Sequence, residues 1–391
     1  MNAPRAIAVV TVARSDYGHL LPVLGALRDT PDLRLLLIVA GAHLVPEFGL
    51  TVREIEGDGW PIADCVDMLE ADDSPEAVAA ATGRGVKGFA RAYAKHRPDL
   101  VVLLGDRFEM LAAAAAALPF ALPVAHIHGG EVTEGAMDNQ IRHAISKLAH
   151  LHFVSAPVHA ERLARMDEER WRIHVVGAPG LDRLHATPLM TREELARQLD
   201  LPLAGPWIVV TFHPVTLEHR DTRRHVDELV AALDAVEGTL IVTYPNADTA
   251  GRTIIAALED FARRCPRVRL VPSLGERGYL SLLEHAAVMV GNSSSGLIEA
   301  PSFGLPAVNI GSRQRGRLRG TNVIDVGHGR DEIRGGIAAA LAPGLRERLR
   351  GAPNPYGDGR AAPRIVEVLR RVPLDARLVQ KRSTDPEDAR P

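Results

Sequence analysis

Cysteine is scarce. Cys65 and Cys265 are the only two in 391 residues, and their separation fits neither a disulfide framework nor a paired metal motif. Buried, inert thiols in a reducing cytoplasm are the expectation. An excess of one charge is also missing, since 46 basic and 49 acidic residues leave a formal net charge of -3. Charges of both signs are interspersed and give no global pull toward nucleic acid or anionic lipid. Any anion must be bound locally. Long apolar runs are absent as well: the longest, residues 110–125, is mostly alanine and contains Pro119 and Pro123, and it falls short of the roughly 20 residues that span a bilayer. It reads as a helix followed by a strand. Residues 1–5 lead into an apolar stretch without a basic leader or a small-residue cleavage site, the pattern of a cytoplasmic protein.

What is present is ordinary globular material, with 46% hydrophobic residues, 34 glycines and 27 prolines. At roughly 150 residues per domain the length suggests two or three domains. Short Val/Ile/Leu runs recur, each followed by a loop and a helical pattern, so the fold class is α/β with parallel sheet. The clearest strands are 6–13, 33–40, 100–105, 123–127 and 173–176, then 207–212, 239–243, 268–271, 287–290 and 306–310. Turn signals over 187–206 divide two doubly wound, Rossmann-like halves, expected as domains 1–187 and 206–360. Their strand ends would share a cleft, where ligands of open α/β folds bind. An amphipathic helix, 361–372, is expected to pack back on the first domain, and 373–391 reads as a loose tail.

Arg14 follows the first strand, where a guanidinium can grip a phosphate; the plainer reading is a surface arginine paired with Asp16. Asp106 stands at the next strand's edge, either in the cleft or as a helix cap. Glu131 closes His126-Ile127-His128-Gly129-Gly130-Glu131, and Asp138 and Arg142 lie four apart on one helix face. Asp106, Glu131 and Asp138 are three carboxylates delivered by consecutive α/β units, material for proton transfer. His126-x-His128 can ligate a metal from one strand face, but no further ligand set accompanies it, and core histidines are the plainer reading.

In the second half His213 ends one strand, and Tyr244-Pro245-Asn246 ends another. Gly291-Asn292-Ser293-Ser294-Ser295-Gly296 follows the strand at 287–290, and its hydroxyls and backbone N–H groups at a helix start suit a phosphate. A nucleophile elbow is not met, because Ser295 occupies the final glycine position. The loop after Gly311 holds Arg313, Arg315, Arg317 and Arg319, a solvated face or a diphosphate grip. Gly83-Arg84-Gly85-Val86-Lys87-Gly88 matches the dinucleotide pattern but follows a helical stretch, not a strand.

Together, Arg14-Ser15-Asp16-Tyr17, Gly105-Asp106-Arg107-Phe108-Glu109, the block from His126 to His152, His213-Pro214-Val215-Thr216, Tyr244-Pro245-Asn246 and Gly291 to Arg317 resemble the hydrolysing UDP-N-acetylglucosamine 2-epimerases of sialic acid precursor synthesis. The likeness spans residues 6–370. It implies a glycosyltransferase-B-like architecture and conversion of UDP-N-acetylglucosamine to N-acetylmannosamine and UDP, by anti elimination to 2-acetamidoglucal and hydration. It also implies no NAD, no obligatory metal, and a homodimer or higher homo-oligomer. Asp106, Glu131 and Asp138 become the acid–base group, with Arg142 orienting Asp138, and His213 assists the diphosphate. Ser293, Ser294, Gly296, Arg14, Arg313 and Asn246 become substrate binders, with Glu299 on the ribose. Asn139 departs from the family, where a second acid often follows Asp138, and so does Gly18. A variant substrate, UDP-2,4-diacetamido-2,4,6-trideoxyglucose, fits the same motifs. The alternatives are a non-hydrolysing epimerase, a glycosyltransferase, which needs an acceptor, a metallohydrolase built on His126 and His128, and a non-catalytic binding protein.

Overall fold

The computed structural model describes residues 3–70, 74–134, 137–245, 251–271 and 274–383. The chain divides into two compact units, one of Met1–Val132, Met137–Arg183 and Gly357–Pro391, the other of Thr133–Ala136 and Leu184–Tyr356.

The first unit is built on β1 (Arg5–Thr11), β2 (Leu33–Ala40), β3 (Ile62–Val66), β4 (Leu100–Leu104), β5 (Val124–Ile127), β6 (Leu151–Val154) and β7 (Ile173–Val175). Their order is β3-β2-β1-β4-β5-β6-β7, and every pairing is parallel. The second unit carries β8 (Trp207–Thr211), β9 (Thr239–Thr243), β10 (Val268–Val271), β11 (Val288–Gly291), β12 (Ala307–Ile310) and β13 (Val323–Val326), ordered β10-β9-β8-β11-β12-β13 and again parallel throughout. Chain order reverses between β1 and β4 in one sheet and between β8 and β11 in the other. In doubly wound sheets that reversal opens a crevice at the strand C-termini.

Alternation along each strand fills two cores per unit. Ile7 and Val9 face the helices Arg14–Arg28 and Ala361–Arg371, while Ala8 and Val10 face Pro75–His96 and Phe108–Ala117. In the second unit Ile208 and Val210 pack under Thr222–Asp234 and Arg330–Ala340, and Trp207 and Val209 under Arg192–Leu199 and Gly275–His285. The decoy glycines lie inside the helix Pro75–His96. A Cβ on Gly85 would stand 2.6 Å from Met68 Cε and 2.9 Å from Ala112 Cβ. Glycine costs about 1 kcal/mol in a helix interior, and here it permits close helix packing.

Two expectations need correction. Residues 375–383, read as loose tail, are anchored: Leu378 is buried, and the buried Arg172 guanidinium donates to the carbonyls of Leu378, Arg377 and Gln380. A buried guanidinium needs acceptors, and main-chain carbonyls leave no trace in hydrophobic periodicity. Cys265 is buried as expected, but Cys65 is exposed because it lies on the half-exposed edge strand β3. Among the described residues no helix is long and apolar enough to cross a membrane.

Candidate active site

At the reversal point of the first sheet, the chain leaves β1 and starts a helix at Arg14. Asp16 turns inward, where its Oδ2 accepts from Val12 N at 2.8 Å and Thr11 Oγ1 at 3.0 Å. Burial raises its pKa to about 6 despite those bonds. Arg14 is therefore not paired with Asp16; it is exposed and lies 3.5 Å from Glu54.

β4 ends at Leu104, and Gly105 takes φ +84 to turn the chain into Asp106. Arg142, buried on the helix Met137–Leu148, donates to the Asp106 carboxylate. His126 fixes this turn from the neighbouring strand, its Nε2 2.7 Å from the Gly105 carbonyl and its Nδ1 3.2 Å from Ser146 Oγ. Burial drives the His126 pKa down to about 3, so the ring is neutral, and the carbonyl requires the proton on Nε2. The Ser146 hydroxyl donates to the Arg142 carbonyl at 2.9 Å, and the His126 ring is wholly buried. Asp138 begins the helix that carries Arg142, and Arg107 interacts electrostatically with both Asp138 and Asp16 while forking onto buried Glu109 at 3.0 and 3.2 Å. Arg107 was quoted in a motif yet given no role; its signal was an arginine two residues before an acid at a strand end.

Glu131 is buried, and its Oε1 accepts from Ser155 Oγ at 2.6 Å and lies 2.7 Å from His128 Nδ1. Asp106 and the Glu131–His128 pair thus leave adjacent strands, with Leu104 and Ile127 in register.

At the reversal point of the second sheet the chemistry is different. Gly291 has φ +137, and a Cβ there would lie 1.9 Å from Thr211 O, so only glycine lets β11 approach β8 this closely. Asn292, wholly buried, then clamps the backbone of His213, accepting its N–H at 2.7 Å and donating to its carbonyl at 2.8 Å. The Asn292 carbonyl in turn accepts from Gln314 Nε2 at 2.8 Å and Arg313 at 3.4 Å. Sequence reading gave Asn292 no role, although it is the hub of this end. Burial, and secondarily Arg313, push the His213 pKa down to about 3, so the imidazole is neutral beside a fixed cation.

The helix after Ser294 is a single turn, Ser295–Ile298, followed by a 3-10 turn at Ala300–Phe303 that begins after Glu299. A macrodipole from one turn is small, and the N–H groups of Ser295, Gly296, Leu297 and Ile298 already have partners, so an anion here would rely on the hydroxyls of Ser293 and Ser294 and on Arg313. Gly296 is buried, and a Cβ on it would meet Ala307 Cβ at 3.2 Å; its glycine serves packing against β12. Asn246 lies outside the described residues.

Among the described residues one trio, Glu218, His225 and His328, has the ligand types of a metal site. The two rings are stacked at 3.5 Å with planes 2° apart. Imidazole lone pairs lie in the ring plane, so parallel stacked rings cannot converge on one ion.

Comparison with known proteins gives the molecule its class. A family model described as UDP-N-acetylglucosamine 2-epimerase matches residues 25–370. The chain is 38% identical over 378 residues, 96% of its length and 98% of the relative's, to the UDP-N,N'-diacetylbacillosamine 2-epimerase (hydrolyzing) of Legionella pneumophila. It is 37% identical over 323 residues, 82% of its length and 84% of the relative's, to the GDP/UDP-N,N'-diacetylbacillosamine 2-epimerase (hydrolyzing) of Campylobacter jejuni. Its fold matches the crystal structure of UDP-GlcNAc 2-epimerase from Neisseria meningitidis bound to UDP-GlcNAc, with a TM-score of 0.80 at 17% identity over 93% of this chain and 99% of that one. The protein is a UDP-sugar 2-epimerase. Specifically, the chain belongs to the UDP-N-acetylglucosamine 2-epimerase family.

Proposed function

We propose that the protein hydrolyses and inverts UDP-N,N'-diacetylbacillosamine, the 2,4-diacetamido-2,4,6-trideoxyglucose conjugate, releasing UDP and the free 2-epimer of the sugar. The C2 hydrogen has no adjacent carbonyl to acidify it. Departure of UDP solves this, because positive charge developing at C1 makes that hydrogen removable as the glycal forms. Water then adds at C1, and C2 is protonated on the opposite face. Such a sequence needs groups that move protons and donors that stabilise the departing diphosphate.

The first unit supplies the former through Asp106 held by Arg142, through Asp138, and through the Glu131–His128 pair. The second supplies the latter through neutral His213, Ser293, Ser294 and Arg313, with Glu299 for the ribose. Arg14 and Asn246 join the substrate binders. What carries the reaction is the set of proton-exchanging groups at the first reversal point; what favours this sugar over UDP-N-acetylglucosamine, the first expectation from the motifs, is the pair of relatives at 38% and 37% identity.

The test is incubation with each UDP-sugar in heavy water, reading UDP and the sugar. UDP release with deuterium at C2, and a higher kcat/KM for the diacetamido sugar, is expected. Product without deuterium defeats the mechanism, and preference for UDP-N-acetylglucosamine defeats the substrate assignment.

A further inference from the structure

We propose that His128, held by Glu131, is the group that takes the C2 proton, and that Glu131 acts as a positioning residue without touching the sugar. This deepens the hydrolysing-epimerase reading and rests on it.

β5 stops at Ile127. His128 adopts φ +65, a region that non-glycine residues seldom occupy and that persists where the surroundings impose it, often at functional sites. Its N–H is fixed to Phe153 O at 3.0 Å. This turn breaks the strand alternation, so His128 does not follow His126 in engaging Gly105. Its side chain is 14% accessible against 9% for Glu131, making the imidazole the more approachable partner.

The hydrogen bonds assign the protons. An ionised carboxylate only accepts, so the 2.7 Å contact places the His128 proton on Nδ1. Nε2 then carries the lone pair, and among the described residues it makes no hydrogen bond. Ser155 donates to the same Glu131 oxygen, and its Oγ lies 3.0 Å from His159 Nδ1. With the hydroxyl proton committed to Glu131, His159 donates to Ser155. His159 is neutral, since burial pushes its pKa down to about 4. The chain therefore runs from His159 to Ser155 to Glu131, with His128 as a further donor to the same carboxylate oxygen. Gly130 makes the return possible: at φ +74, a Cβ would be 2.5 Å from His159 O. An imidazole oriented by a buried carboxylate, itself held by a hydroxyl, is the arrangement of a general base whose tautomer is fixed.

Charged and titratable groups face the pair from several elements, and His159 itself couples through space to both Glu131 and His128. His19, from the helix Arg14–Arg28, presents its ring edge-on at 6.3 Å. His126 couples to His128 through space, and Arg162, which donates to Gly130 O, couples to Glu131. In the elimination the C2–H pair becomes the C1–C2 double bond, and the C1–O pair leaves on the UDP oxygen. The proton passes to Nε2, and Glu131 balances the imidazolium until solvent takes the proton. Water then gives its hydroxyl to C1 and its other proton to solvent, while a solvent-derived proton reaches C2 from the opposite face, so that one water is added overall.

The experiment compares wild type with His128→Gly, His128→Asn and Glu131→Gln on the UDP-sugar that wild type turns over best. Glycine fits φ +65 and leaves room for added imidazole; asparagine tolerates the same backbone and guards against a folding defect. Both His128 variants should lose about 10²–10⁴-fold in kcat, with KM little changed, and imidazole should restore His128→Gly. Glu131→Gln should lose only about 10–100-fold, and the acid limb of its kcat/KM profile should move to lower pH, because a lost anion makes the imidazolium less stable. Turnover above about a tenth of wild type in folded His128→Asn, no rescue of folded His128→Gly, or an unmoved acid limb in Glu131→Gln overturns the proposal alone. Wild type that releases no UDP from either sugar overturns the reaction reading, and this assignment with it.

Discussion

The two sheets share one topology and one reversal point each, yet their edges hold different chemistry. At the ends of β1, β4 and β5 the first unit collects ionisable side chains, Asp16, Asp106, His128 and Glu131, with arginines and buried histidines around them. At the ends of β8 and β11 the second unit collects groups that keep one state: a clamped asparagine, serines, an arginine, and a histidine too buried to charge at neutral pH. A doubly wound sheet supplies the place for a ligand; the residue types at the loops decide whether that place moves protons or holds an anion.

That division can be broken in three ways. Asp106→Asn has the largest expected effect, a loss of about 10²–10⁴-fold in kcat with UDP affinity by calorimetry unchanged; weakened UDP binding would erase the distinction between the edges. Asn292→Ala comes next. It strips the partners from the buried N–H and C=O of His213, costing about 2–4 kcal/mol in denaturant unfolding and weakening UDP binding, whereas full stability would show that the clamp is dispensable. Asp16→Asn is the smallest. The folded pKa of Asp16, about 6, exceeds its ordinary value of 3.8, so its contribution is fully present below pH 3.8 and is lost as pH rises through 6. The asparagine variant should therefore gain on wild type between pH 5 and pH 8, by on the order of 1 kcal/mol. A pH-independent difference would mean that Asp16 does not titrate near 6.

Much of the scaffold was legible in sequence. Ten strands were read within a residue or two, eight of them because parallel strands buried on both faces are continuous apolar runs, and the edge strands β7 and β10 from their short apolar runs alone. Three went unread for separate reasons. β3 and β13 are half-exposed edges interrupted by Asp64 and Asp325, and β6 is four residues long with His152 buried in it. His152 is accommodated because Glu168, itself held by Lys147 and Lys381, pairs with it at 3.0 Å, a partnership distant in sequence. The candidate site residues were picked out by their place after strands. Their partners were not: Arg142 on Asp106 is 36 residues away and Asn292 on His213 is 79, and neither spacing has a local signal.

The sequence by itself determined the α/β class, the alternation that builds parallel sheet, and which residue types stand at strand ends, because apolar periodicity and turn residues act over a few positions. Only the tertiary structure decided which of these groups meet and which are buried. Glu131 and His128 are three apart in sequence; burial, a left-handed turn at His128 and the hydroxyl of Ser155 just past the next strand give them different surroundings. Protonation depends on solvation and on partners brought together through space, and those are set when the sheet assembles.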